Sequence, residues 1–597
     1  MVEARFRWIF PDPIEVAPDL ATAAALRELS PRLTGLLARR GVATADELRA
    51  WFADPHLGLH DAAKLPDAGL LLARLRRSRE RGELVQVFGD FDADGLTGLA
   101  ILTIALRRLG VSVLPYVPSR LDEGHGLSLA AVEAAVAAGV SVIVTVDCGS
   151  SSGVEIALAN QRGLDVIVTD HHRVPPVLPP ALAVVNPQRH DSVYPDRRLA
   201  GSGVAFKIAQ LLLADEPGGA AAALDLADLA TIGSVADVAP IVGENRSIAR
   251  IGLDRLRRNP RPGIAALLER ANVAPAAVDL ETVSFALAPR LNAAGRMGEA
   301  MQAAQLLLAE DPGEATQHAD ALESANLARR DLTKTAVSAA RALMAGSAEA
   351  ASVVRGPWAV GLVGLVAARL VEDRGRPAVV GAEIGEVIRA SCRSDGSLDL
   401  GAALETCADL FSRHGGHAGA AGFEIRADRW VDFTERFLTL AAVSVPPDPR
   451  VSVAIDLALP ARDVDYALHR ELVGLAPCGP GNPDPLVAVL GLTVTRVRAA
   501  TGGHTQLTLR RDRDVLDGIA FGRSDIAELV GEGDRLDVVA RLTSRRFGGF
   551  ESLQLDIRDV ATSGSHPEAA AILDGRQATQ DPGPSPAPSV PVAAGGR

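Results

Sequence analysis

Leu84-Val-Gln-Val-Phe-Gly-Asp-Phe-Asp-Ala-Asp-Gly95 joins an apolar β-run to an acidic turn, and the same kind of join recurs twice shortly afterwards. Ser141-Val-Ile-Val-Thr-Val146 leads into Asp147-Cys-Gly-Ser150, and Leu164-Asp-Val-Ile-Val-Thr169 leads into Asp170-His-His172. In a parallel α/β sheet the carboxyl ends of the strands face one crevice, which is where ligands bind. Carboxylates and imidazoles gathered there repel one another or stay poorly solvated unless positive charge sits among them. A pair of divalent cations is the natural occupant.

Working outward, residues 80–215 alternate short apolar strands (84–88, 111–116, 141–146, 164–168) with helical stretches near 96–109, 128–138 and 152–160. This pattern predicts an α/β fold with a doubly wound parallel sheet. Residues 1–75 read as a helical N-terminal extension. The Ala/Leu-rich stretch Met301–Met344, broken at Asp311-Pro-Gly313, reads as a long connecting helix between two lobes. A second, smaller α/β region follows at 350–440, with strands near 376–380 and 385–391. Alternating β-type runs between 450 and 560, such as Thr505-Gln-Leu-Thr-Leu509, predict a small β-barrel. The tail from Ser563, with its Pro-rich 582–588 stretch, is too poor in bulky apolar groups to fold.

A chain of 597 residues is too long for one core and predicts three or four domains. Its 48% apolar and 23% charged residues are ordinary for a globular protein. No run approaches the roughly 18 uncharged apolar residues of a membrane span, and the first residues lack the apolar core of a signal peptide. Cys148, Cys392, Cys407 and Cys478 form no CxxC pair, which suits a reducing cytoplasm and argues against disulfides and zinc fingers. The net charge of −13 offers no bulk attraction to nucleic acid, so a polyanionic substrate needs a local basic groove or metal ions.

Each motif also has a plainer reading. Asp90-x-Asp92-x-Asp94-Gly95 is not a calcium loop, because the twelfth position is Ile101 and a strand precedes it. A lone DxD is usually a solvated turn with a helix N-cap; two neighbouring strands that also end in acids make that unlikely here. Asp170-His171-His172 alone would be two satisfied loop histidines, but its place after an apolar strand points to a site. Asp237, in Ser234-Val-Ala-Asp-Val-Ala-Pro240, reads by itself as a helix-capping acid. His414-Gly-Gly-His-Ala-Gly419 is either a phosphate cradle or a tight helix–strand turn, and glycine density alone leaves the two even. Arg120, Arg290 and Arg296 are candidate phosphate clamps in a chain where most arginines are surface.

Together these residues resemble the DHH phosphoesterase superfamily, and within it the RecJ family of single-strand-specific exonucleases, over about residues 80–560. The matching motifs are Gly89–Thr97, Val146–Gly149, Asp170–His172, the Asp237 segment through Gly243-Glu-Asn-Arg246, Leu199–Lys207, Ala288–Arg296, Trp358–Arg369, Gly415–Gly422 and Leu475–Pro483. Two positions depart from the family's habit: Ala359 stands where His is usual, and Ser119 where Asn is usual. The resemblance implies a DHH catalytic domain at 76–300, the connecting helix at 301–349, a DHHA1 domain at 350–445, an OB-fold at 446–562 and a disordered tail at 563–597.

It further implies 5′→3′ removal of mononucleotides from single-stranded DNA in recombination and repair. By resemblance, Asp92 and Asp147 hold one Mn²⁺ or Mg²⁺, and Asp94, Asp147, His171 and Asp237 hold a second, with Asp147 bridging. His172 touches the scissile phosphate, while Asp90 and Asp170 support the ligands from behind. Arg120, Arg290, Arg296, Ser391 and Arg393 serve the substrate, and Gly415, Gly416 and His417 grip its backbone. Arg545, Arg546, Phe547 and Phe550 are the implied barrel contacts. The expected partners are single-stranded DNA with a 5′ end, a helicase and a single-strand-binding protein, for a monomeric cytoplasmic enzyme with no membrane association. Rival readings are a DHH phosphodiesterase on short oligonucleotides or cyclic dinucleotides, which would lack the barrel, and a non-catalytic single-strand-binding scaffold, in which the acidic set would have decayed.

Overall fold

The computed structural model describes residues 2–119, 123–297, 300–444, 450–547, 550–569 and 572–573. Arg120 and most of the expected tail lie outside them. The chain forms two compact units.

The larger unit spans Arg49–Pro449 and the short segment Pro477–Pro483. Its first sheet is wholly parallel, with neighbours in the order Ser112–Tyr116, Leu84–Gly89, Val142–Val146, Asp165–Thr169 and Ala183–Val185. Every residue of Val142–Val146 is buried, as both faces of a doubly wound sheet must be. The helix Ala93–Arg108 is buried almost all round, because it lies against the sheet and also packs on helices Gly201–Leu213 and Ala227–Ala236. The apolar stretch 219–236 is long enough to cross a membrane, but it carries Asp225 and Asp228 and most of it is buried in this core.

The Asp311-Pro-Gly313 break separates two helices, Ala300–Leu308 and Pro312–Leu343. Asp311 caps the second by accepting the Glu314 N–H at 2.9 Å, with Pro312 at the first helical position, where its missing N–H is harmless. The second α/β region has a mixed sheet in the order Phe411–Gly416, Ala420–Arg426, Val387–Arg393, Ala378–Ile384 and Ser352–Gly356. Only its last pair is parallel.

The smaller unit contains a closed barrel of five strands, Val487–Ala500, His504–Arg511, Asp514–Ala520, Phe550–Thr562 and Arg535–Phe547. The first and last of these pair with each other. The start of the chain belongs to this unit and is not helical throughout: Arg7–Ile9 forms a parallel strand with Ser452–Ala454. Buried Asp559 anchors it, accepting the N–H groups of Arg5 (3.2 Å) and Phe6 (3.0 Å) and the Trp8 indole N–H (2.8 Å). A helical reading of residues 1–75 misses this strand because its hydrogen-bonding partner lies more than 440 residues away.

Candidate metal centre

Three parallel strands end in register, Gly89 beside Val146 and Val146 beside Thr169. The residue after each end extends the ladder by one bond: Asp90 N–H to the Val146 carbonyl (3.2 Å), Asp147 N–H to Thr169 (3.0 Å) and Asp170 N–H to Val185 (3.1 Å). Three aspartates therefore stand side by side on the carboxyl edge of the sheet.

Asp147 sits at φ 63, in the left-handed region that an Asp tolerates better than most residues. Gly201 lies against it; a Cβ there would come within 2.6 Å of the Asp147 Cβ and 2.7 Å of its Oδ1. Asp92 caps the helix Ala93–Arg108, its Oδ1 accepting the N–H groups of Asp94 (3.0 Å) and Gly95 (3.1 Å), which leaves Oδ2 for a ligand. Asp94 is aimed by a second helix N-terminus, its oxygens accepting the N–H groups of Gly201 (2.7 Å) and Ser202 (3.0 Å). Two helix N-termini thus converge on the acids and stabilise their charge.

His171 lies among them, with Nε2 3.0 Å from Asp147 Oδ1 and 3.9 Å from Asp94 Oδ2, and Nδ1 3.9 Å from Asp237 Oδ2. The close His171–Asp147 approach has no hydrogen-bond alignment: both atoms, with Asp90 Oδ1, are buried without a hydrogen-bond partner among the described residues. Such lone pairs facing one another suit a cation. Burial raises the carboxyls of Asp92, Asp147 and Asp237 and lowers the His171 imidazole. Asp147 is pushed well above the carboxylate range by burial and by Asp94, Asp92 and Asp90. Burial, with Asp90 and Asp94, takes Asp92 up to about 6. Asp237 keeps 33% of its side chain open, and partial burial beside Asp94 and Asp92 still pushes it up to about 8. Burial lowers His171, leaving the neutral ring that binds metals.

The donors fall into groups that fit a pair of divalent ions. Asp90, Asp92 and Asp147 bring carboxylate oxygens within 4.8 Å of one another, Asp94 and Asp237 bring oxygens equally close to a ring nitrogen of His171, and Asp147 also groups with His171 and His172. Asp90, expected only as support, stands among the donors of the first group. Asp170 is buried and accepts hydrogen bonds from both histidines of the motif. Burial would raise it, but the His172 Nδ1 (2.9 Å), the His171 and His172 N–H groups and the Ser150 N–H all donate to it and hold it well below the usual range. In return the bond to Asp170 raises His172 to about 9, so a charged imidazole stands 3.8 Å from Asp147 Oδ1.

Several participants escape a reading of the sequence. The His125 Nδ1 is 3.5 Å from Asp90 Oδ2, and its ring rests on Phe91 with centroids 4.4 Å apart; the glycines flanking it in Gly124-His-Gly126 were the available signal. Asn292 Oδ1 accepts the Ala93 N–H at 2.8 Å, and a Cβ on Gly295 would meet the Phe91 carbonyl at 2.5 Å, so helix Ala288–Met297 braces the first acidic turn. From that same helix, Arg296 donates to the Gly361 carbonyl at 2.7 Å. Arg290 is different: it is buried, with Nε on Glu323 and Nη1 on the Ala286 carbonyl, and it braces helices instead of offering its fork to a phosphate.

Ser391 and Arg393 share the strand Val387–Arg393, and the Arg393 Nη1 donates to Ser391 Oγ at 3.0 Å. The glycine loop is a β-hairpin turn, not a helix–strand turn; Gly416 at φ 145 makes it, and the His417 N–H donates to the Ala420 carbonyl at 2.8 Å. Its second strand pairs Ala420 with Arg393 and Gly422 with Ser391, so Ser391, Arg393 and the Gly415–His417 turn occupy one end of one sheet. In the barrel, Arg545 is exposed, and the side chains of Arg546, Phe547 and Phe550 lie outside the described residues.

Family models match three regions in order: the DHH family, N-terminal domain, over residues 84–234, the DHHA1 domain over 349–442 and the RecJ OB domain over 455–559. The single-stranded-DNA-specific exonuclease RecJ of Bacillus subtilis is 33% identical over 575 residues, covering 94% of this chain and 72% of that protein. Its namesake in Escherichia coli is 34% identical over 566 residues, covering 90% and 97%. The crystal structure of Thermus thermophilus RecJ with Mn²⁺ superposes with a TM-score of 0.78 at 29% identity, covering 94% of this chain and 80% of that one. The Mg²⁺ complex gives 0.73, covering 94% and 79%.

Proposed function

Since the chain belongs to the RecJ family of single-stranded-DNA-specific exonucleases, we propose that it degrades single-stranded DNA from the 5′ end to 5′-mononucleotides by two-metal-ion hydrolysis, in recombination and repair. The observation that carries the reading is the convergence of Asp92, Asp94, Asp147, His171 and Asp237 around orphaned, inward-facing donor atoms. Asp92 and Asp147, with Asp90 beside them, would hold one ion; Asp94, His171 and Asp237 would hold the other, with Asp147 shared. Two Mn²⁺ or Mg²⁺ ions, when bound, supply the positive charge that offsets charge growing on the attacking and leaving oxygens.

The protein's own groups do the rest. The helix N-termini at Ala93 and Gly201 fix Asp92 and Asp94, so no reorganisation is needed as charge develops. His172, held protonated by Asp170, donates to the scissile phosphate. Arg296, with Arg120, Ser391 and Arg393, receives the 5′ end, and the Gly415–His417 turn holds the backbone. A cleft of single-strand width between the two α/β regions excludes duplex, and the barrel adds affinity through backbone charge and stacking. The enzyme works as a cytoplasmic monomer, on ends supplied by a helicase and covered by a single-strand-binding protein.

Incubation of 5′-phosphorylated single strand, duplex and dinucleotide with Mn²⁺ tests this. Mononucleotide release from the long single strand alone supports it. Preferential cleavage of the dinucleotide would favour the short-substrate phosphodiesterase, and binding without release would favour the scaffold.

A further inference from the structure

Two motifs find no task in this mechanism: Gly243-Glu-Asn-Arg246 and the segment within Leu475–Pro483 that leads into the barrel. Residues Pro477–Pro483 pack with the catalytic unit although the chain on either side belongs to the barrel unit. This strap is closed on itself. Gly479 and Asn482 exchange backbone hydrogen bonds (2.8 and 3.0 Å), and the fully buried Asn482 donates from Nδ2 to the Pro477 carbonyl at 2.9 Å.

It is also fastened to the loop that follows Asp237. The Ile241 N–H donates to the Pro480 carbonyl at 2.7 Å, and Arg246 Nη1 donates to the Pro477 carbonyl at 3.2 Å. The Arg246 guanidinium lies over Trp51 at 4.2 Å, and Asn245 Nδ2 ties the Pro240 carbonyl at 3.1 Å. A Cβ on Gly479 would meet Ile241 Cγ1 at 2.6 Å, so only glycine admits this approach.

The loop itself is strained. Helix Ala227–Ala236 ends through Asp237 in a turn where the Ala239 N–H reaches the Ser234 carbonyl (2.9 Å) and the Val238 N–H reaches Val235 (3.2 Å). That turn normally has glycine where Val238 stands. Val238 takes φ 61, which a β-branched residue adopts only where its surroundings impose it. Its own side chain is 66% exposed and cannot impose it; buried Ile241, pinned by the strap, can.

We propose that the Pro477–Pro483 strap is a positioning element for Asp237, holding closed the strained turn that aims this carboxylate at His171 and Asp94. The proposal rests on Asp237 being a metal ligand.

Mn²⁺ binding to the full chain, followed by the electron paramagnetic resonance of free Mn²⁺ alongside thermal unfolding, tests it. Asp237→Ala should lose one of two ions; if it keeps both, the ligand assignment falls before the strap is in question. Asn482→Ala should stay folded and bind the second ion about tenfold more weakly, as loss of a ligand's support typically does, with the first ion unaffected. Adding Val238→Gly, which lets the turn close without strain, should restore the affinity. A folded Asn482→Ala that binds both ions as the parent does overturns the proposal, and so does failure of Val238→Gly to rescue. If Asn482→Ala does not fold, Val238→Gly alone decides: second-ion binding at least as tight as the parent's supports the strap, and weaker binding overturns it.

Discussion

Replacing Asp147 by Asn keeps the shape of the side chain proposed to bridge the two ions and removes its charge, so activity and stability should move in opposite directions. The Asp90, Asp92 and Asp147 donors lie within 4.8 Å of one another, and at the effective dielectric of a buried site each ionised pair at that distance repels by about 3 kcal/mol. The cluster escapes part of this by keeping protons, which raises Asp147 well above its ordinary value. A carboxyl raised in the folded state binds more protons there than in the unfolded chain, so metal-free stability falls as pH rises above about 4. Because neighbours share protons, we expect Asp147→Asn to gain about 2 kcal/mol without metal at pH 8, or about 4 °C in melting temperature. Most of the gain should vanish at pH 5, below the raised values of Asp92 and Asp147, where the parent's Asp147 keeps its proton. On the proposal that Asp147 serves both ions, cleavage in Mn²⁺ should fall on the order of a thousandfold. Calorimetry in EDTA at the two pH values and release of mononucleotide from labelled single strand measure both. A variant less stable than the parent in EDTA at pH 8 refutes the repulsion, and cleavage within tenfold of the parent refutes the bridging role.

Gly201→Ala should fold but lose Mn²⁺ affinity and cleavage together, because its Cβ would press to 2.6 Å of Asp147; isothermal titration with Mn²⁺ is the check, and unchanged affinity counts against the assigned position of Asp147. In the barrel unit, Asp559→Ala leaves two backbone N–H groups and an indole N–H without their acceptor and should destabilise that unit by about 2–4 kcal/mol. The first residues should then become sensitive to limited proteolysis, while Mn²⁺ binding stays as it was.

The parts of this protein that can be read along the chain are those whose signal is local. A short apolar run followed at once by Asp90-Phe-Asp-Ala-Asp, Asp147-Cys-Gly or Asp170-His-His announces both a buried parallel strand and the chemistry at its end, because strand period and turn composition span only a few residues. The Asp311-Pro-Gly313 helix start and the alternating barrel runs are legible for the same reason. Arg290 and Arg296 look interchangeable along the chain, and only packing separates them, by giving Arg290 the Glu323 carboxylate.

Apart from the family resemblance, nothing along the chain says which carboxylates meet; the tertiary structure brings them together. Asp237 looks like an ordinary helix end until folding sets it beside His171; Asp94 is aimed by amides 107 and 108 residues further on, and Ala93 by an amide oxygen 199 residues away. Around them Gly201 and Gly295 let segments approach more closely than a Cβ would permit, against Asp147 and the Phe91 carbonyl. Local propensity says where a strand ends, but close approach between distant segments decides what it faces.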